Sequence, residues 1–358
     1  MKKKARLIAF YLPQFHPIPE NDQFWGKGFT EWTNLTKAKP LFRGHEQPKL
    51  PADLGFYDLR LPEVRLQQAN MAKHYGVEAF CYWHYWFGDG VRVLERVITE
   101  VVESKQPDFP FLLGWANESW TGKWHGLDNQ YIFKQTYPGF NDFEKHFYEV
   151  LPALTDERNF KINDKPVFLV YRPMKIEPSP QHFVDAWQNL AVKNGITNGI
   201  YFIGTHNNED PIQHGFDAVV ANAPNFNYPQ KTYLKKIFKV ISFGKLPNLF
   251  SYKKMVDHTV KKSLRKNEFP IITSNWDNTP RSGSKGNILL NDTLKYFEYF
   301  LSKTIDKIAG KPEEEKIIFL KSWNEWAEGN FLEPDMKNKD GRLKIIKKLI
   351  FENESNSK

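Results

Sequence analysis

Two glutamates three residues apart stand in a tryptophan-rich segment near the end of the chain. Glu325 and Glu328 lie within residues 321–334, directly after the apolar run 317–320, which predicts a buried strand. An isolated pair of this kind is usually an exposed turn, but the rings beside it favour a binding site, because solvated turns rarely carry them. Paired carboxylates beside aromatic rings suit glycosidic-bond chemistry, in which carboxyls move protons and rings stack on sugar faces.

Eight short apolar runs predict the strands that would position this pair. Runs buried on both faces are typical of a parallel sheet, and helical patterns lie between most of them. The runs are residues 7–12, 79–83, 111–115, 167–171, 201–204, 218–221, 271–275 and 317–323. The helical patterns are 62–75, 91–104, 141–154, 180–194 and 291–308. This alternation predicts an α/β fold, a (β/α)8 TIM barrel.

The 358 residues suit one barrel with insertions. We expect a single catalytic domain over residues 1–350 and a frayed tail over 351–358. Two segments exceed an ordinary connection: the loop 16–61, rich in proline, glycine and aromatics, and a basic insertion, 222–269, after the sixth strand. Long loops without secondary structure are often functional.

Unusual polar residues follow seven of the eight predicted strands, where barrels of this kind place their active sites. Each is either a sugar contact or a hydrogen-bonded support of the barrel mouth. The predicted substrate contacts are His16, Glu31, Trp32, His84, Tyr85, Asn117, Trp120, Trp124, Tyr171, His206, Trp276, Asp277, Arg281, Trp323, Asn324 and Trp326. Tryptophan and tyrosine faces would stack on pyranose rings, and the polar groups would bind hydroxyls.

A rival assignment uses the third strand. Asn117 and Glu118 follow that strand and resemble the Asn-Glu acid/base of other barrel glycosidases. Glu118 would then be the acid and Glu325 the nucleophile of a two-carboxylate retaining scheme, for which carboxyls about 5–5.5 Å apart are required. Otherwise Glu118 orients Trp120 or a sugar hydroxyl.

Several long motifs, in order, resemble the WbsX-type proteins of bacterial O-antigen and capsule gene clusters, which are described as glycosyltransferases. The motifs are residues 10–21, 25–32, 80–86, 115–121, 276–281 and 323–329. Those proteins carry a domain similar to glycoside hydrolase family 99, the endo-acting α-mannosidases and mannanases. That second likeness rests on the Asn-Glu-Trp-x-Glu-Gly segment and on the barrel.

The resemblance implies a mechanism. By motif position, Glu325 becomes the base that acts on the sugar's own 2-hydroxyl to give a 1,2-anhydro sugar. Glu328 becomes the acid/base that protonates the leaving oxygen and then activates the acceptor. The family has histidine where this chain has Ala327, which affects substrate contacts rather than the carboxylates.

The implied roles demand different protonation states. Glu328 needs a raised pKa to be protonated near neutral pH, and burial against neighbouring tryptophan rings would supply it. Glu325 must stay ionised, and donors such as Asn324 or Arg281 would ensure that.

The net charge of +8 is concentrated between residues 231 and 266. A solvated face is the plain interpretation, and peripheral contact with an anionic membrane surface is the main alternative. We predict no nucleic-acid partner, because no known motif accompanies the patch.

The single cysteine, Cys81, excludes an intramolecular disulfide, and no Cys/His spacing predicts a metal. We expect no cofactor. The basic start lacks the long apolar run and cleavage site of a signal peptide, so we expect a cytoplasmic protein, peripheral at the inner membrane face if the basic segment binds lipid. An oligosaccharide or lipid-linked glycan is the expected substrate.

Three functions remain open from sequence. They are glycosyl transfer in surface polysaccharide biosynthesis, endo-acting α-mannosidase-like hydrolysis, and non-catalytic glycan binding. The absence of a Gly-x-Gly-x-x-Gly motif after a strand argues against a nucleotide cradle of the Rossmann kind. A barrel would instead transfer from a glycan or lipid-linked donor.

Overall fold

The computed structural model describes residues 2–121, 131–206, 210–228 and 246–351. Nine parallel strands form its main sheet and close almost completely into a barrel, which confirms the predicted α/β TIM-barrel fold. The strands are β1 (Arg6–Tyr11), β2 (Val77–Trp86), β3 (Phe111–Trp115), β4 (Lys165–Val170), β5 (Tyr201–His206), β6 (Ala218–Ala221), β7 (Glu268–Phe269), β8 (Ile271–Thr273) and β9 (Ile317–Lys321).

The barrel closes through a strand that a proline interrupts. The sheet order is β7-β6-β5-β4-β3-β2-β1-β9-β8. Val220 of β6 pairs with Phe269 of β7, and Ile271 of β8 pairs with Phe319 of β9. Pro270 lies between β7 and β8 and has no N–H to donate to the ladder. The two short strands together occupy the position in the barrel where the sequence predicts one seventh strand, over residues 271–275.

Ten α-helices are described, most of them on the outside of the barrel. They are α1 (Pro19–Trp25), α2 (Glu31–Lys37), α3 (Pro62–Tyr75), α4 (Arg96–Ser104), α5 (Phe140–Leu154), α6 (Pro180–Lys193), α7 (Tyr252–Lys261), α8 (Thr279–Ser282), α9 (Leu294–Ile308) and α10 (Gly341–Ile350). Short strand pairs join 92–93 to β2, 161–162 to β4, 120–121 to 131–133, 248–251 to 287–290, and 324–325 to 330–331. None of the described helices is long and apolar enough to cross a membrane.

The two predicted insertions contain regular structure. Residues 16–61 hold α1 and α2, and α2 begins with a capping box in which the Thr30 backbone N–H donates to the Thr33 hydroxyl. Within 222–269, α7 packs against α9 and takes the place of the barrel helix between β6 and β7. Residues 231–245 of the basic segment lie outside the described residues, as do residues 352–358 of the predicted tail.

Alternating burial along each strand divides the core into two layers. On β1, Ile8 and Phe10 point into a cluster inside the barrel, whereas Leu7, Ala9 and Tyr11 pack in the layer between sheet and helices. All five are buried. A period of two with both faces apolar explains why the strands read as continuous hydrophobic runs. The barrel interior is thus packed with apolar side chains.

Candidate active site

Three glutamates converge on one arginine at the barrel mouth. Arg281 Nη2 donates to Glu31 Oε1 at 2.6 Å and to Glu325 Oε2 at 3.1 Å, and Arg281 Nη1 donates to Glu328 Oε1 at 2.8 Å. We call these four residues the carboxylate cluster. The planar guanidinium can serve several carboxylates at once because its donors are fixed in a fork.

Elements from three parts of the chain position this cluster. Glu31 stands in the first turn of α2, Arg281 lies in the one-turn helix α8, and Glu325 and Glu328 lie in the segment 321–334, which follows β9. Glu31 also accepts the backbone N–H of Ala327 at 3.0 Å. Ala327 therefore ties this segment to α2 through its backbone.

Asp277 stabilises the start of α8, the helix that carries Arg281. Its Oδ1 accepts the hydroxyl and the backbone N–H of Thr279, and its Oδ2 accepts from Gln47 Nε2 at 2.7 Å and contacts His45 Nε2 at 2.8 Å. Because His45 Nδ1 accepts the Leu41 N–H, Nε2 carries the proton and donates to Asp277. Asp277 is 2% exposed, so it supports the arginine helix rather than meeting substrate, contrary to the sequence prediction.

Burial and mutual repulsion control the protons of the cluster. Burial, followed by the charge of Glu328, raises the pKa of Glu325 to about 8. Burial also raises the pKa of Glu31. Burial alone would lower the pKa of Arg281, but the carboxylates of Glu31, Glu328 and Glu325 hold it above its usual value. The sequence argument expected a raised pKa at Glu328, whereas the structure raises the pKa of Glu325.

The cluster forms one wall of an open cleft. The cleft has a volume of about 310 Å³ and opens to solvent, a size in the range of ligand-binding pockets. The predicted residues that line it together are Glu31, Tyr85, Glu118, Trp120, Tyr171, Arg281, Glu325 and Glu328. The Tyr85 and Trp120 rings meet edge to face at 5.0 Å, which leaves aromatic surface for a sugar ring.

Four predicted stacking tryptophans do not line the cleft, because they are packed in the core. Trp326 stacks on Phe331 at 3.7 Å, and Trp323 packs against Phe80 at 5.2 Å. Trp32 donates its ring N–H to the Tyr57 carbonyl at 2.8 Å. The fourth is Trp276, which is 8% exposed. These four tryptophan rings, which suggested a sugar-binding site in the sequence, are therefore part of the core that supports the site.

Two predicted asparagine contacts are internal clamps. Asn324 bonds both backbone groups of Leu12, accepting at 2.8 Å and donating at 3.0 Å. Asn117 does the same for Arg172, accepting at 2.7 Å and donating at 2.9 Å. Both asparagines are fully buried. They join neighbouring strand ends at the barrel mouth, and their complete burial keeps these amides away from substrate.

The predicted histidine contacts also depart from the cleft. His84 is buried against His146, with their Nε2 atoms 2.8 Å apart, and burial lowers the pKa of His84 to about 3. His16 is 2% exposed, and burial lowers its pKa. Of His206 only the backbone, in β5, is described, and Trp124 lies outside the described residues.

Glu118, the alternative acid, does line the cleft but in a different setting. Its side chain is 42% exposed, and its Oε1 lies 3.5 Å from Arg172 Nε and 3.3 Å from Lys175 Nζ. Glu325, by contrast, has a side chain that is 9% exposed. The cleft therefore offers a glutamate pair on one wall, with Glu325 buried and Glu328 partly buried, and a half-exposed, ion-paired glutamate on another.

Several cleft residues escaped the sequence analysis as sites. They are Gln14, Asn21, Trp25, Phe29, Asn34, Trp83 and Lys321. Trp83 stacks on Phe10 at 4.8 Å and meets Tyr171 edge to face at 5.6 Å. Four of the seven, Asn21, Trp25, Phe29 and Asn34, lie on or between α1 and α2. The sequence analysis treated these helices as loop. Within the described ranges, we find no group of His, Cys, Asp or Glu arranged to hold a metal ion.

Comparison with known proteins places the chain in a family. Residues 7–346 match the family described as "Glycosyltransferase WbsX". The WxcX proteins of Xanthomonas campestris pv. campestris strains B100 and ATCC 33913 are 38% and 37% identical over 336 residues. The match covers 93% of this chain and 48% of each relative, so the chain spans about half their length.

Solved structures share the fold at low identity. A glycoside hydrolase-like protein has a TM-score of 0.62 and 15% identity, covering 99% of this chain and 95% of its own. The family GH99 endo-α-mannosidase of Bacteroides thetaiotaomicron has a TM-score of 0.59 and 15% identity, covering 98% and 97%. The chain thus belongs to the WbsX glycosyltransferase family and folds into a GH99-like barrel.

Proposed function

We propose that the chain transfers glycosyl groups in the biosynthesis of a bacterial surface polysaccharide, such as O-antigen or capsule. The observation that carries the proposal is the carboxylate cluster at the mouth of the barrel, with Glu325 and Glu328 bridged by Arg281 in an open cleft. A purely binding protein has no need for two mutually repelling carboxyls, one of them buried. Such pairs perturb pKa values and are typical of catalytic sites.

The first chemical step uses both glutamates. The carboxylate of Glu325 takes the proton of the 2-hydroxyl, whose oxygen then attacks the anomeric carbon of the same sugar. The glycosidic C–O bond breaks, and the carboxyl of Glu328 gives its proton to the leaving oxygen. The products are a 1,2-anhydro sugar and a free hydroxyl on the leaving group.

The second step reverses the proton flow. The carboxylate of Glu328 takes the proton of an acceptor hydroxyl, and the acceptor oxygen attacks the anomeric carbon. The three-membered ring opens, and its oxygen recovers a proton from Glu325. Two inversions at one carbon give net retention of configuration.

One proton shared between the two glutamates satisfies this scheme. With the pKa of Glu325 raised to about 8, the pair holds a proton near neutral pH. The chemistry needs that proton on Glu328 when the leaving oxygen departs. Arg281 contacts both carboxyls, so a shift of its guanidinium towards Glu325 would stabilise the ionised base. A base with a high pKa is also a stronger base.

The acceptor decides whether the enzyme is a transferase or a hydrolase. If a sugar or lipid-linked hydroxyl enters the cleft, the chain is extended, and if water enters, the glycan is shortened. The GH99-like barrel makes endo-acting, α-mannosidase-like hydrolysis the second candidate. A cytoplasmic protein at the inner membrane face, held there by the basic segment 231–266, would meet lipid-linked glycans; this location belongs to the proposal.

Product analysis by mass spectrometry tests the proposal. Wild type, Glu328→Gln and Glu118→Gln are incubated with α-mannoside oligosaccharides, and separately with sugar nucleotides plus lipid-linked acceptors. Glu298→Gln, at a surface pair with Lys348, is the matched control. We expect product from wild type and the control and none from Glu328→Gln.

Each result has a definite meaning. Lengthened glycan shows that the enzyme is a transferase. Shortened glycan that forms only when Glu328 is intact shows that it is a hydrolase instead. Loss of product in Glu118→Gln with retention in Glu328→Gln overturns the assignment of the acid. If the wild type and the variants bind glycan but form no product in either reaction, the result supports a glycan-binding barrel and overturns the enzyme mechanism.

A further inference from the structure

Three uncharged carboxamides line the cleft beside the carboxylate cluster. They are Gln14, after β1, Asn21, in α1, and Asn34, in α2. We call them the carboxamide patch. Within the described part of the chain, none of their side chains makes a hydrogen bond, although the Gln14 carbonyl accepts the backbone N–H of Glu31 at 3.0 Å.

Asn21 is the most unusual member. It is 0% exposed, and both its Oδ1 and its Nδ2 are buried without a partner. Buried amides are nearly always hydrogen-bonded, because an unmade bond leaves the desolvation of the group uncompensated. Asn324 and Asn117 spend both amide atoms on backbone groups, whereas Asn21 has no partner among the described residues.

The position of Asn34 links the patch to the reacting centre. Asn34 lies three residues after Glu31 on α2, so the two side chains share one face of the helix. Glu31 bonds Arg281 within the carboxylate cluster. The Trp25 and Phe29 rings, with centroids 5.9 Å apart, line the same part of the cleft. Amides beside aromatic rings offer a sugar its two usual contacts, hydrogen bonds at the edge and apolar surface at the face.

We propose that the carboxamide patch is a subsite for an uncharged sugar ring that neighbours the reacting one. Each carboxamide offers one acceptor and two donors, which match hydroxyls that both donate and accept. The patch carries no charge, so it selects neutral hydroxyl-bearing rings over acidic sugars. The inference rests on the proposed function, since it places the subsite beside the sugar that Glu325 and Glu328 process.

Access to Asn21 requires a local adjustment. The amide is closed off from water, and α1, which carries it, is one of the shortest helices of the fold. Gly26 and Gly28 follow α1 at φ values of 96° and 80°, a conformation that glycine adopts without strain. Binding of the neighbouring sugar would move α1 enough for a hydroxyl to meet the amide.

Titration calorimetry on paired variants tests the subsite. Glu328→Gln serves as the slow-turnover parent, to which Asn21→Leu, Asn34→Ala or the control Asn189→Ala is added; Asn189 is exposed on α6. The probes are methyl α-mannoside and α-linked manno-oligosaccharides of two to four sugars. We expect Asn21→Leu and Asn34→Ala each to weaken oligosaccharide binding about tenfold, while the affinity for methyl α-mannoside and the control stay unchanged.

A melting curve separates recognition from folding. Asn21→Leu removes an amide without partners, so we expect its Tm to equal or exceed that of the parent. Unchanged oligosaccharide affinity in both patch variants, with a parent that binds, overturns the subsite and leaves the proposed function standing. A parent that binds no probe while wild type forms no product overturns both.

Discussion

Glu325 and Glu333 are two buried glutamates of the same segment with different surroundings. Glu333 accepts hydrogen bonds from Trp326 Nε1 at 2.6 Å, Gln68 Nε2 at 2.7 Å and Tyr57 OH at 2.9 Å. The Glu325 carboxyl accepts from Arg281 at 3.1 Å and lines the cleft. Burial raises the pKa of both, to about 8 for Glu325 and about 7 for Glu333. A raised pKa alone therefore does not identify the catalytic group.

The difference lies in how much bonding capacity the fold has already used. Glu333 holds three side chains beneath the catalytic segment, so its carboxyl is structural. Glu325 keeps capacity for a substrate hydroxyl. The same distinction separates Asn324, which clamps Leu12, from Asn21, which has no partner among the described residues.

Replacing each glutamate by glutamine should give opposite phenotypes, and this is the largest effect we expect. Glu325→Gln should lower kcat by about 10²–10⁴ with no loss of Tm, because only the reaction needs its charge. Glu333→Gln should keep its rate per folded molecule but lose about 1–3 kcal/mol of unfolding free energy, since an NH₂ group would face a donor. Steady-state rates and denaturant unfolding of both variants measure this.

The comparison fails if the phenotypes are exchanged. A Glu325→Gln protein that unfolds as readily as Glu333→Gln would make both residues structural. The wild type and Glu298→Gln provide the reference for rate and stability.

Arg281→Lys should show that the cluster needs a fork rather than a positive charge. A lysine ammonium cannot reach Glu31, Glu325 and Glu328 with the geometry of a guanidinium. We expect kcat to fall about tenfold to a hundredfold, by the loss of charge-assisted bonds. Arg96→Lys, at an exposed pair with Glu100, is the control in the same rate assay. Equal rates in Arg281→Lys and wild type would show that the reaction does not need the guanidinium of Arg281.

The shared proton predicts how the rate depends on pH. The reaction needs one proton on the glutamate pair, and that proton is lost as pH rises through about 8, the raised pKa of Glu325. We expect kcat/KM, which reports the free enzyme, to fall about tenfold per pH unit above that value. A kcat/KM that keeps rising from pH 7 to 9 would contradict a one-proton pair.

Stability should show a smaller effect of the same proton. The pKa of Glu325 is higher in the folded state than the unfolded value of about 4.3. The folded protein therefore binds more protons between about pH 4 and pH 8, and its stability falls as pH rises through that window. Glu325→Gln removes this loss, so its Tm advantage over wild type should grow from pH 5 to pH 8, reaching about 2–4 °C.

Thermal melts at several pH values measure this effect, with Glu298→Gln as the control. A Tm difference that shrinks as pH rises would mean that Glu325 is not buried with a raised pKa.

Much of the fold could be predicted from sequence because burial leaves a local pattern. The predicted helix 62–75 matches α3, which begins at Pro62 and is followed by left-handed Gly76. The helices α1 and α2 were missed because seven residues give too little periodicity to detect. The seventh strand was predicted over residues 271–275 and is present as β8, but the short strand β7 before Pro270 was missed.

The functional site was harder to predict from sequence, because the role of a polar residue depends on partners from distant segments. Nothing local to Asn324 indicates that it clamps Leu12, and nothing local to Asp277 indicates His45 and Gln47. Strand-end position predicted that Glu118, Glu325 and Glu328 lie at one barrel mouth, and all three line the same cleft. It could not separate groups with spare bonding capacity from groups without it.

The most direct test of the assigned roles is a single-turnover measurement with α-mannosyl fluorides. Fluoride departs without a proton, so the first step needs the base but not the acid. We predict that Glu328→Gln releases one equivalent of fluoride at close to the wild-type rate, whereas Glu325→Gln releases it at least about a hundredfold more slowly. Fast release from Glu325→Gln and slow release from Glu328→Gln would exchange the two roles and contradict the mechanism.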